Sequence, residues 1–313
     1  MNKSLVLNFH KETDGLLFEK IIIALKKRYK LVDLPFLVDS FNQKNEFENI
    51  CHITFDDGEL SFYNIVFPLL KKHNVPVSLF VSPLIIKEEK NFWFQDLEYC
   101  DRSFVKSLLS KKYSLSDEVM NSVSTADIFK CLPVKEINEI VATGLKAVNN
   151  QKVANQNMNL KQLKEVESSG LVTIGAHTLN HPILSNEDDK SSYNEIYEST
   201  MQLADLLGHP IFYFAYPNGR PGLDFTEREK AFLKKAGVRF CFSTEMGHLS
   251  IKNDTLSIPR MGFPRMGLAP SSPLIAMRLY LGKKWPDIKA IGRPSEKNIR
   301  NKIYSIVNKN KSL

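Results

Sequence analysis

The fold is decided around residues 51–60, CHITFDDGEL, where an apolar run typical of a buried strand ends in two adjacent aspartates and a glycine. Asp56 and Asp57 repel each other, so the pair needs either open solvent or a nearby cation. Asp-Gly is also a common turn dipeptide, and the stretch taken alone is most simply a solvated loop after a strand. The remaining sequence has to distinguish these two interpretations.

On both sides of this stretch, short apolar runs alternate with segments of helical periodicity. Such alternation predicts parallel strands covered by helices, and seven or eight units of this kind predict a β/α barrel. Residues 90–158 break the pattern with several helical pieces, which we interpret as a helical insertion at the strand ends. Strands are predicted at 4–9, 29–34, 51–55, 76–82, 171–177, 211–217, 239–244 and 256–260, and helices at 14–28, 61–73, 159–169, 190–207 and 226–236.

The composition is that of an ordinary globular protein. The 313 residues are 43% hydrophobic and 25% charged, which is enough to bury a sizeable core. The four cysteines lie far apart and form no CxxC pair, a pattern that indicates reduced thiols. The sequence contains no apolar run of about 18 residues, and its first residues, MNKSLVLNFHKETDG, do not resemble a signal peptide, so we expect a cytoplasmic protein.

The net charge of +7 is concentrated near the carboxyl terminus. Residues 278–313 contain ten Lys or Arg and two acidic residues, so the rest of the chain carries about −1. We therefore divide the chain into a domain of residues 1–265 and a basic, solvated helical tail of residues 266–313, and expect no nucleic-acid partner. Peripheral contact of this tail with an anionic membrane, or with a phosphate-bearing substrate, is the alternative.

A second polar motif follows another predicted strand. In GAHTLNHPILS, residues 175–185, His177 and His181 are four residues apart, and they are either two unrelated surface histidines or a pair that converges on one point. TFDDG and HTLNH both follow predicted parallel strands, whose carboxyl ends meet at one edge of the barrel. Two histidines and one aspartate form a common three-ligand metal set, and the second aspartate is then left unligated as a base.

In this order, TFDDG, H-x3-H and FAYPNG resemble the first three motifs of the polysaccharide deacetylases of the NodB-homology type, carbohydrate esterase family 4. The resemblance covers roughly residues 1–265 and implies the family's fold, a distorted (β/α)7 barrel. It implies that Asp56 is the catalytic base and that Asp57, His177 and His181 bind a divalent metal. The metal of this family is commonly zinc, with cobalt, nickel or manganese as alternatives.

The third motif supplies substrate contacts by the same resemblance. The backbone N–H of Asn218, in the tight turn with Tyr216 and Pro217, matches the position that stabilises the oxyanion in the family. In the predicted insertion, Trp93 is a second candidate, because sugar rings stack on aromatic faces, although helix packing explains such a residue more often.

One departure from the family pattern concerns an arginine that orients the base. Many members have this arginine in the third motif, where this sequence has Ala215. Arg260, in SIPRMG at the end of a late predicted strand, is a candidate substitute and substrate-site residue. Arg220, or no arginine at all, is equally compatible with the sequence.

A second departure concerns the general acid, because no histidine follows Arg260. His10 ends the first predicted strand, and a first barrel strand can lie next to the last one. This arrangement resembles the branch of the family that deacetylates poly-N-acetylglucosamine, in which an N-terminal histidine takes the acid role. His248, in EMGHLSI, is the alternative, and His10 could also be a strand-end histidine without a catalytic role.

These features predict a metal-dependent N-deacetylase that hydrolyses the acetamide of an N-acetylated amino sugar, in a polysaccharide or in its lipid-linked or nucleotide-linked precursor. A deformylase or another deacylase of a sugar precursor would use the same chemistry. A catalytically silent relative that binds glycans or a protein partner is the alternative of another class, and the two departures from the family pattern suggest it.

Overall fold

The computed structural model describes residues 3–12, 14–148, 153–263, 277 and 295–311. Within these residues, eight strands form one curled, all-parallel sheet. The strands are β1 (Leu5–Phe9), β2 (Lys30–Leu31), β3 (Ile50–Phe55), β4 (Val77–Val81), β5 (Val172–Ala176), β6 (Tyr213–Ala215), β7 (Phe240–Phe242) and β8 (Met261–Gly262). Their order is β7-β6-β5-β4-β3-β1-β8, and β2 pairs with the beginning of β3.

The two ends of the sheet are brought together by the residues that precede β8. Phe242 of β7 forms a parallel bridge with Ile258, and three residues later Met261 of β8 pairs with Leu7 of β1. The first strand, β1, therefore lies between β3 and the last strand. His10, which follows β1, can reach the site only if the first and last strands are neighbours in this way. This architecture confirms the predicted distorted (β/α)7 barrel.

Helices connect the strands and fill the predicted insertion. Those of the barrel are α1 (Gly15–Lys26), α2 (Leu34–Gln43), α3 (Phe67–His73, after a π-helical turn at Phe62–Val66), α4 (Pro83–Glu88), α10 (Leu160–Ser168), α11 (Asp189–Leu207) and α12 (Glu227–Lys235). The interval 90–158 contains α5 (Trp93–Leu97), α6 (Arg102–Tyr113), α7 (Asp117–Ser122), α8 (Thr125–Phe129) and α9 (Val134–Ala147), and α13 (Glu296–Lys311) follows the barrel. No helix in the described part of the chain is long and apolar enough to cross a membrane.

The second barrel helix was missed by the sequence analysis. The predicted strand 29–34 ends after two residues, and α2 begins at Leu34. The start signal is present, because the Asp33 side chain accepts a hydrogen bond from the Phe36 N–H at 2.8 Å and Pro35 occupies the first turn. An N-cap aspartate followed by proline is a standard helix start. The apolar residues on both sides of Asp33 are typical of one strand, and for that reason the sequence pattern predicts a strand up to residue 34.

The insertion has its own hydrophobic core. Val105, Leu109 and Phe129 are fully buried, and they belong to a cluster separate from the main core under the barrel sheet. Ile303 and Val307 of α13 belong to the same cluster. The carboxyl-terminal helix therefore packs on the insertion and extends its core.

This packing differs from the solvated tail expected from the charge pattern. Arg300 of α13 is only 1% exposed and donates to Asp224 Oδ1 at 2.6 Å and to Glu296 at 2.7 Å. Ile299, Ile303 and Val307 recur every four residues, a spacing that predicts one apolar face. The rest of the predicted tail, apart from residue 277, lies outside the described residues, and contact with an anionic membrane stays a prediction.

Candidate active site

The sheet register brings the ends of β1 and β3 side by side. Phe9 lies opposite Phe55, so the next residues, His10 and Asp56, leave the sheet together. The ends of β4 and β5 are joined in the same way, because the His177 N–H donates to the Val81 carbonyl at 3.0 Å. The carboxyl ends of the strands thus gather the polar motifs at one edge, as the barrel topology requires.

Three potential metal ligands converge at this edge. Asp57 Oδ1 lies 3.6 Å from His177 Nε2 and 3.6 Å from His181 Nε2. One donor atom from each residue falls within 4.8 Å of the others, and all three side chains are largely buried. A tetrahedral ion about 2.1 Å from each donor would separate the donors by about 3.4 Å, so the two distances from Asp57 are compatible with a tetrahedral metal site.

The tautomer of His177 fits a metal ligand. Its Nδ1–H donates to the Ala215 carbonyl at 2.6 Å, which leaves the lone pair of Nε2 directed at Asp57. A backbone carbonyl that fixes the second ring nitrogen is the usual support of a metal-binding histidine. Burial lowers the pKa of His177 to about 4, so the imidazole is neutral at neutral pH. Neutral imidazoles facing a carboxylate oxygen are the donor set that a divalent cation would complete.

The backbone of this cluster is held in left-handed conformations. Asp57 has φ 74°, Thr178 has φ 63° and His181 has φ 56°. Such values are uncommon outside glycine and are concentrated at functional sites. The His181 ring lies edge-on to Phe92 and Phe94, at 5.7 and 5.0 Å between centroids, and burial lowers its pKa well below the ordinary range.

A buried glutamate that the sequence analysis did not single out supports the histidine loop. Glu195 of α11 accepts hydrogen bonds from the N–H groups of Leu179 and Asn180 at 2.9 and 3.0 Å, and from the Asn180 side chain at 2.7 Å. Burial raises the pKa of Glu195, while these hydrogen bonds lower it. Its position on α11 gave no signal in the sequence, because the contact depends on how the helix packs against the loop.

Asp56 is in a different environment from Asp57. Arg260 binds both of its oxygens, at 2.8 Å to Oδ1 and 2.9 Å to Oδ2, and the Asn8 side chain donates to Oδ2 at 3.1 Å. The guanidinium carbon lies 5.7 and 5.9 Å from the ring centres of Phe80 and Phe242. Burial alone would raise the pKa of Asp56, but the charge of Arg260 and the neighbouring histidines hold it well below its usual range.

The three alternatives for the orienting arginine are distinguished by these contacts. Arg260 is fully buried beneath Asp56, whereas the Arg220 side chain is about half exposed and pairs with Glu296. Because Arg260 has no exposed surface, its position favours orientation of Asp56 over the substrate contact expected from the sequence. It reaches Asp56 from the position just before the last strand, β8, and not from the third motif.

The two candidate acids lie at opposite ends of the barrel. His10 Nε2 is 3.8 Å from Asp56 Oδ2, and its side chain is 45% exposed. Leu249, the neighbour of His248, donates its N–H at 2.8 Å to the carbonyl of Ser4, which precedes β1 at the amino end of the strand. The structure therefore has His10 beside Asp56 and His248 at the far end of β1.

The third motif forms the expected turn, but its side chains differ in exposure. Tyr216 is buried, its hydroxyl donates to the Leu256 carbonyl at 2.9 Å, and its ring stacks on Phe225. Pro217 is also buried, and Asn218, with φ 56°, is partly exposed. The side chain of Tyr216 thus packs in the core and is not exposed to a substrate, which leaves the turn backbone and Asn218 as the accessible part of the motif.

Trp93 connects the insertion to the histidine loop. Its Nε1–H donates to the His181 carbonyl at 3.1 Å, and its ring stacks on Phe129 with 5.7 Å between centroids. Trp93 and Asn218 also line a common cavity of about 490 Å³ between the insertion and the barrel. The tryptophan therefore packs as a helix residue and also lines this cavity.

Several solved structures share this fold, and deacetylases are among them. A Streptococcus pyogenes deacetylase, PplD in complex with acetate, is 17% identical with a TM-score of 0.57, covering 89% of this chain and 98% of its own. IcaB from Ammonifex degensii is 18% identical with a TM-score of 0.55, and the match covers 93% of this chain and 97% of IcaB. A de-N-acetylase from Aggregatibacter actinomycetemcomitans is 16% identical with a TM-score of 0.55, covering 89% and 100%. Identities this low establish the fold alone.

The family is shown by the sequence itself. No curated protein matches the chain with significant sequence similarity. The family profile described as polysaccharide deacetylase matches residues 43–241, which is more than half of the chain and includes both polar motifs. The chain therefore belongs to the polysaccharide deacetylase family.

Proposed function

We propose that the protein is a metal-dependent N-deacetylase that hydrolyses the acetamide of an N-acetylated amino sugar. The observation that carries this proposal is the contrast between two neighbouring aspartates. Asp56 is held by Arg260 next to His10, whereas Asp57 faces two neutral imidazoles 3.6 Å away. A base, an acid and a cation site next to one another are the groups that amide hydrolysis needs.

Asp57, His177 and His181 would hold the metal ion. Two imidazoles and one carboxylate suit Zn²⁺, with Co²⁺, Ni²⁺ or Mn²⁺ as alternatives, and three protein ligands leave positions open for water and substrate. When bound, such an ion lowers the pKa of water and polarises an amide carbonyl. The protein's part is to keep both imidazoles neutral, as burial does here.

Asp56 would accept the proton of the attacking water. A carboxylate offers about four lone-pair positions. Arg260 donates one hydrogen bond to Oδ1 and one to Oδ2, and Asn8 donates a second hydrogen bond to Oδ2. One lone pair of Oδ1 is therefore left to accept the proton. Because the charge of Arg260 keeps the pKa of Asp56 low, the carboxylate is ionised at neutral pH, and the bidentate contact fixes its plane.

His10 would protonate the departing amine. An amide anion is a very poor leaving group, and histidine is the side chain best matched to proton transfer near neutral pH. The distance of 3.8 Å between His10 Nε2 and Asp56 Oδ2 supports this role, because the acid and the base must reach neighbouring atoms of one amide. The exposure of His10 leaves its ring accessible to a bound sugar.

Two measurements on the same protein test the proposal. Metal analysis of protein purified without chelator should find about one transition metal ion per chain, and acetate should be released from at least one member of a set of N-acetylated sugars. Failure to bind added Zn²⁺ would remove the basis of the mechanism. Metal binding without acetate release from any member would favour the silent relative, and release of formate from N-formyl sugars alone would favour the deformylase.

A further inference from the structure

A cavity of about 490 Å³ lies between the insertion and the barrel. This volume falls within the usual range of small-molecule sites, about 300–1,000 Å³. Its walls are largely aromatic and aliphatic, and the side chains that define them are those of Trp93, Phe94, Leu97, Val105, Phe129 and Ile183. The polar residues that line it are Glu98, Arg102, Ser124, Thr125, Lys130 and Asn218, but most of the wall surface is apolar. The Lys130 ammonium pairs with Glu296 at 3.0 Å.

The cavity adjoins the metal ligands without including them. Trp93 lines it and donates to the His181 carbonyl, and Asn218 of the third motif lines it as well. Among the described residues that line it, the catalytic candidates Asp56 and His10 and the three metal ligands are absent. A group in this cavity would therefore lie beside the reacting amide and not on it.

The chemistry of the walls selects the kind of group. A second sugar ring in this cavity could stack on Trp93 and reach a few of the polar side chains, but most of its hydroxyl groups would face apolar surface, and each unpaired hydroxyl would be costly. A hydrocarbon chain carries no polar groups and gains affinity for every methylene that is removed from water. The cavity is thus better suited to a hydrocarbon than to the next residue of a polysaccharide.

We propose that this cavity binds the hydrocarbon aglycone of a lipid-linked N-acetylated amino sugar. The inference rests on the proposed function, because the sugar's acetamide must lie at the metal ligands. A long acyl group on the amide nitrogen would have to begin at these ligands, which do not line the cavity. A chain on the anomeric oxygen would begin about one ring width from the amide, and the cavity lies beside the metal ligands, where Trp93 contacts the His181 carbonyl.

Three model compounds test the attachment point. They are the methyl and octyl glycosides of N-acetylglucosamine, and the methyl glycoside of N-octanoylglucosamine, which carries eight carbons on the amide instead. Binding to the metal-loaded protein is measured by calorimetry below the micelle concentration, and hydrolysis is followed by amine release. A fully buried methylene gives roughly a four-fold gain in affinity. We expect the octyl glycoside to show at least 30-fold lower Kd and KM than the methyl glycoside, with similar kcat.

A pair of matched variants tests the location. Ala126 lines the cavity and is exposed at its edge, whereas Ala147, also exposed, ends α9 and is not among the residues that line it. Ala126→Trp should raise Kd for the octyl glycoside about 10-fold or more and leave the methyl glycoside unchanged. Ala147→Trp, the same substitution at another exposed helical position of the insertion, should change neither value.

The possible results separate this inference from the proposed function. Equal Kd values for the octyl and methyl glycosides, or an octyl preference that Ala126→Trp leaves intact, would overturn the cavity's role. Preference for the N-octanoyl compound would overturn the aglycone assignment. If none of the three compounds is hydrolysed but the octyl preference depends on Ala126, the deacetylase proposal fails while the hydrocarbon site stands.

Discussion

The two halves of the candidate site stabilise the same residue type in opposite ways. Asp56 is neutralised within the protein, by an arginine that binds both of its oxygens. Asp57, the next residue, faces the Nε2 atoms of His177 and His181, and burial keeps both imidazoles neutral. The first half is complete as an ion pair, whereas the second is a set of donor atoms that a cation would complete.

This difference explains how two adjacent aspartates are tolerated at the end of a buried strand. A like-charged pair is unfavourable unless each charge has its own partner. Arg260, which immediately precedes the last strand, supplies one partner, and the proposed metal would supply the other. We therefore propose proton transfer for the half around Asp56 and cation binding for the half around Asp57. The variants below test that division, from the largest expected effect to the smallest.

The largest effects are expected for the aspartates themselves. Asp56→Asn should lower kcat by about 10³-fold or more and leave the metal content at the wild-type value, because its carboxylate is assigned to proton transfer. Asp57→Asn should lose both metal and activity, because it removes an anionic ligand. Metal analysis beside acetate release measures both properties. Loss of metal from Asp56→Asn, with retention in Asp57→Asn, would mean that the two roles are reversed.

The ion pair between Arg260 and Asp56 predicts a large effect on stability. Arg260→Met leaves a buried carboxylate without its cation and should lower the free energy of unfolding by about 3–5 kcal/mol. The double variant Arg260→Met with Asp56→Asn removes both charges and should cost less than the sum of the single changes. Urea unfolding of the four proteins in this cycle measures the coupling.

Arg220→Met is the matched control for this cycle. Arg220 pairs with Glu296 and its side chain is about half exposed, so its removal should cost no more than about 1 kcal/mol. Additive effects of the Arg260 and Asp56 substitutions would show that the buried contact does not stabilise the base, and the orientation of Asp56 would then need another explanation.

The general acid predicts the next largest effect. His10→Ala should lower kcat by roughly 10²-fold, the usual contribution of a positioned acid, without changing metal content. The alkaline limb of the pH–rate profile should flatten, because that limb reports deprotonation of the acid. His248→Ala should change neither kcat nor the pH–rate profile, because its neighbour Leu249 contacts Ser4 at the amino end of β1, far from Asp56. If the two variants behave in the opposite way, His10 has a structural role.

The sequence predicted those parts of the site that depend on topology. Asp57 and His177 meet because the carboxyl ends of parallel strands share one edge, a rule that needs no knowledge of side-chain packing. Arg260 was one of three alternatives, because its reach to Asp56 depends on how the sheet curls. The buried side chain of Tyr216 and the support from Glu195 were not predicted, since both depend on how one element packs against another.

The packing of the carboxyl-terminal helix α13 on the insertion was not predicted, for the same reason. The apolar spacing of Ile299, Ile303 and Val307 is visible in the sequence, but the surface that it covers comes from helices more than 150 residues earlier. The excess of lysine and arginine around this face suggested a solvated tail. Charge is a property of the exposed face of a helix and does not exclude an apolar face on the other side.

The smallest predicted effect concerns the support of the cation-binding half. Glu195 is fixed by three hydrogen bonds from Leu179 and Asn180, the residues just before His181. Glu195→Gln keeps the shape but removes the charge and turns one oxygen into a donor, so part of this network is lost. The affinity for Zn²⁺, measured by competition with a chelator well below the unfolding temperature, should fall about 10-fold, which is typical for residues that support metal ligands.

Glu198→Gln, on the same helix, makes the same change in charge outside this network and should leave the affinity unchanged. A loss of thermal stability in Glu195→Gln without a change in Zn²⁺ affinity would show that Glu195 stabilises the fold but does not position the metal ligands.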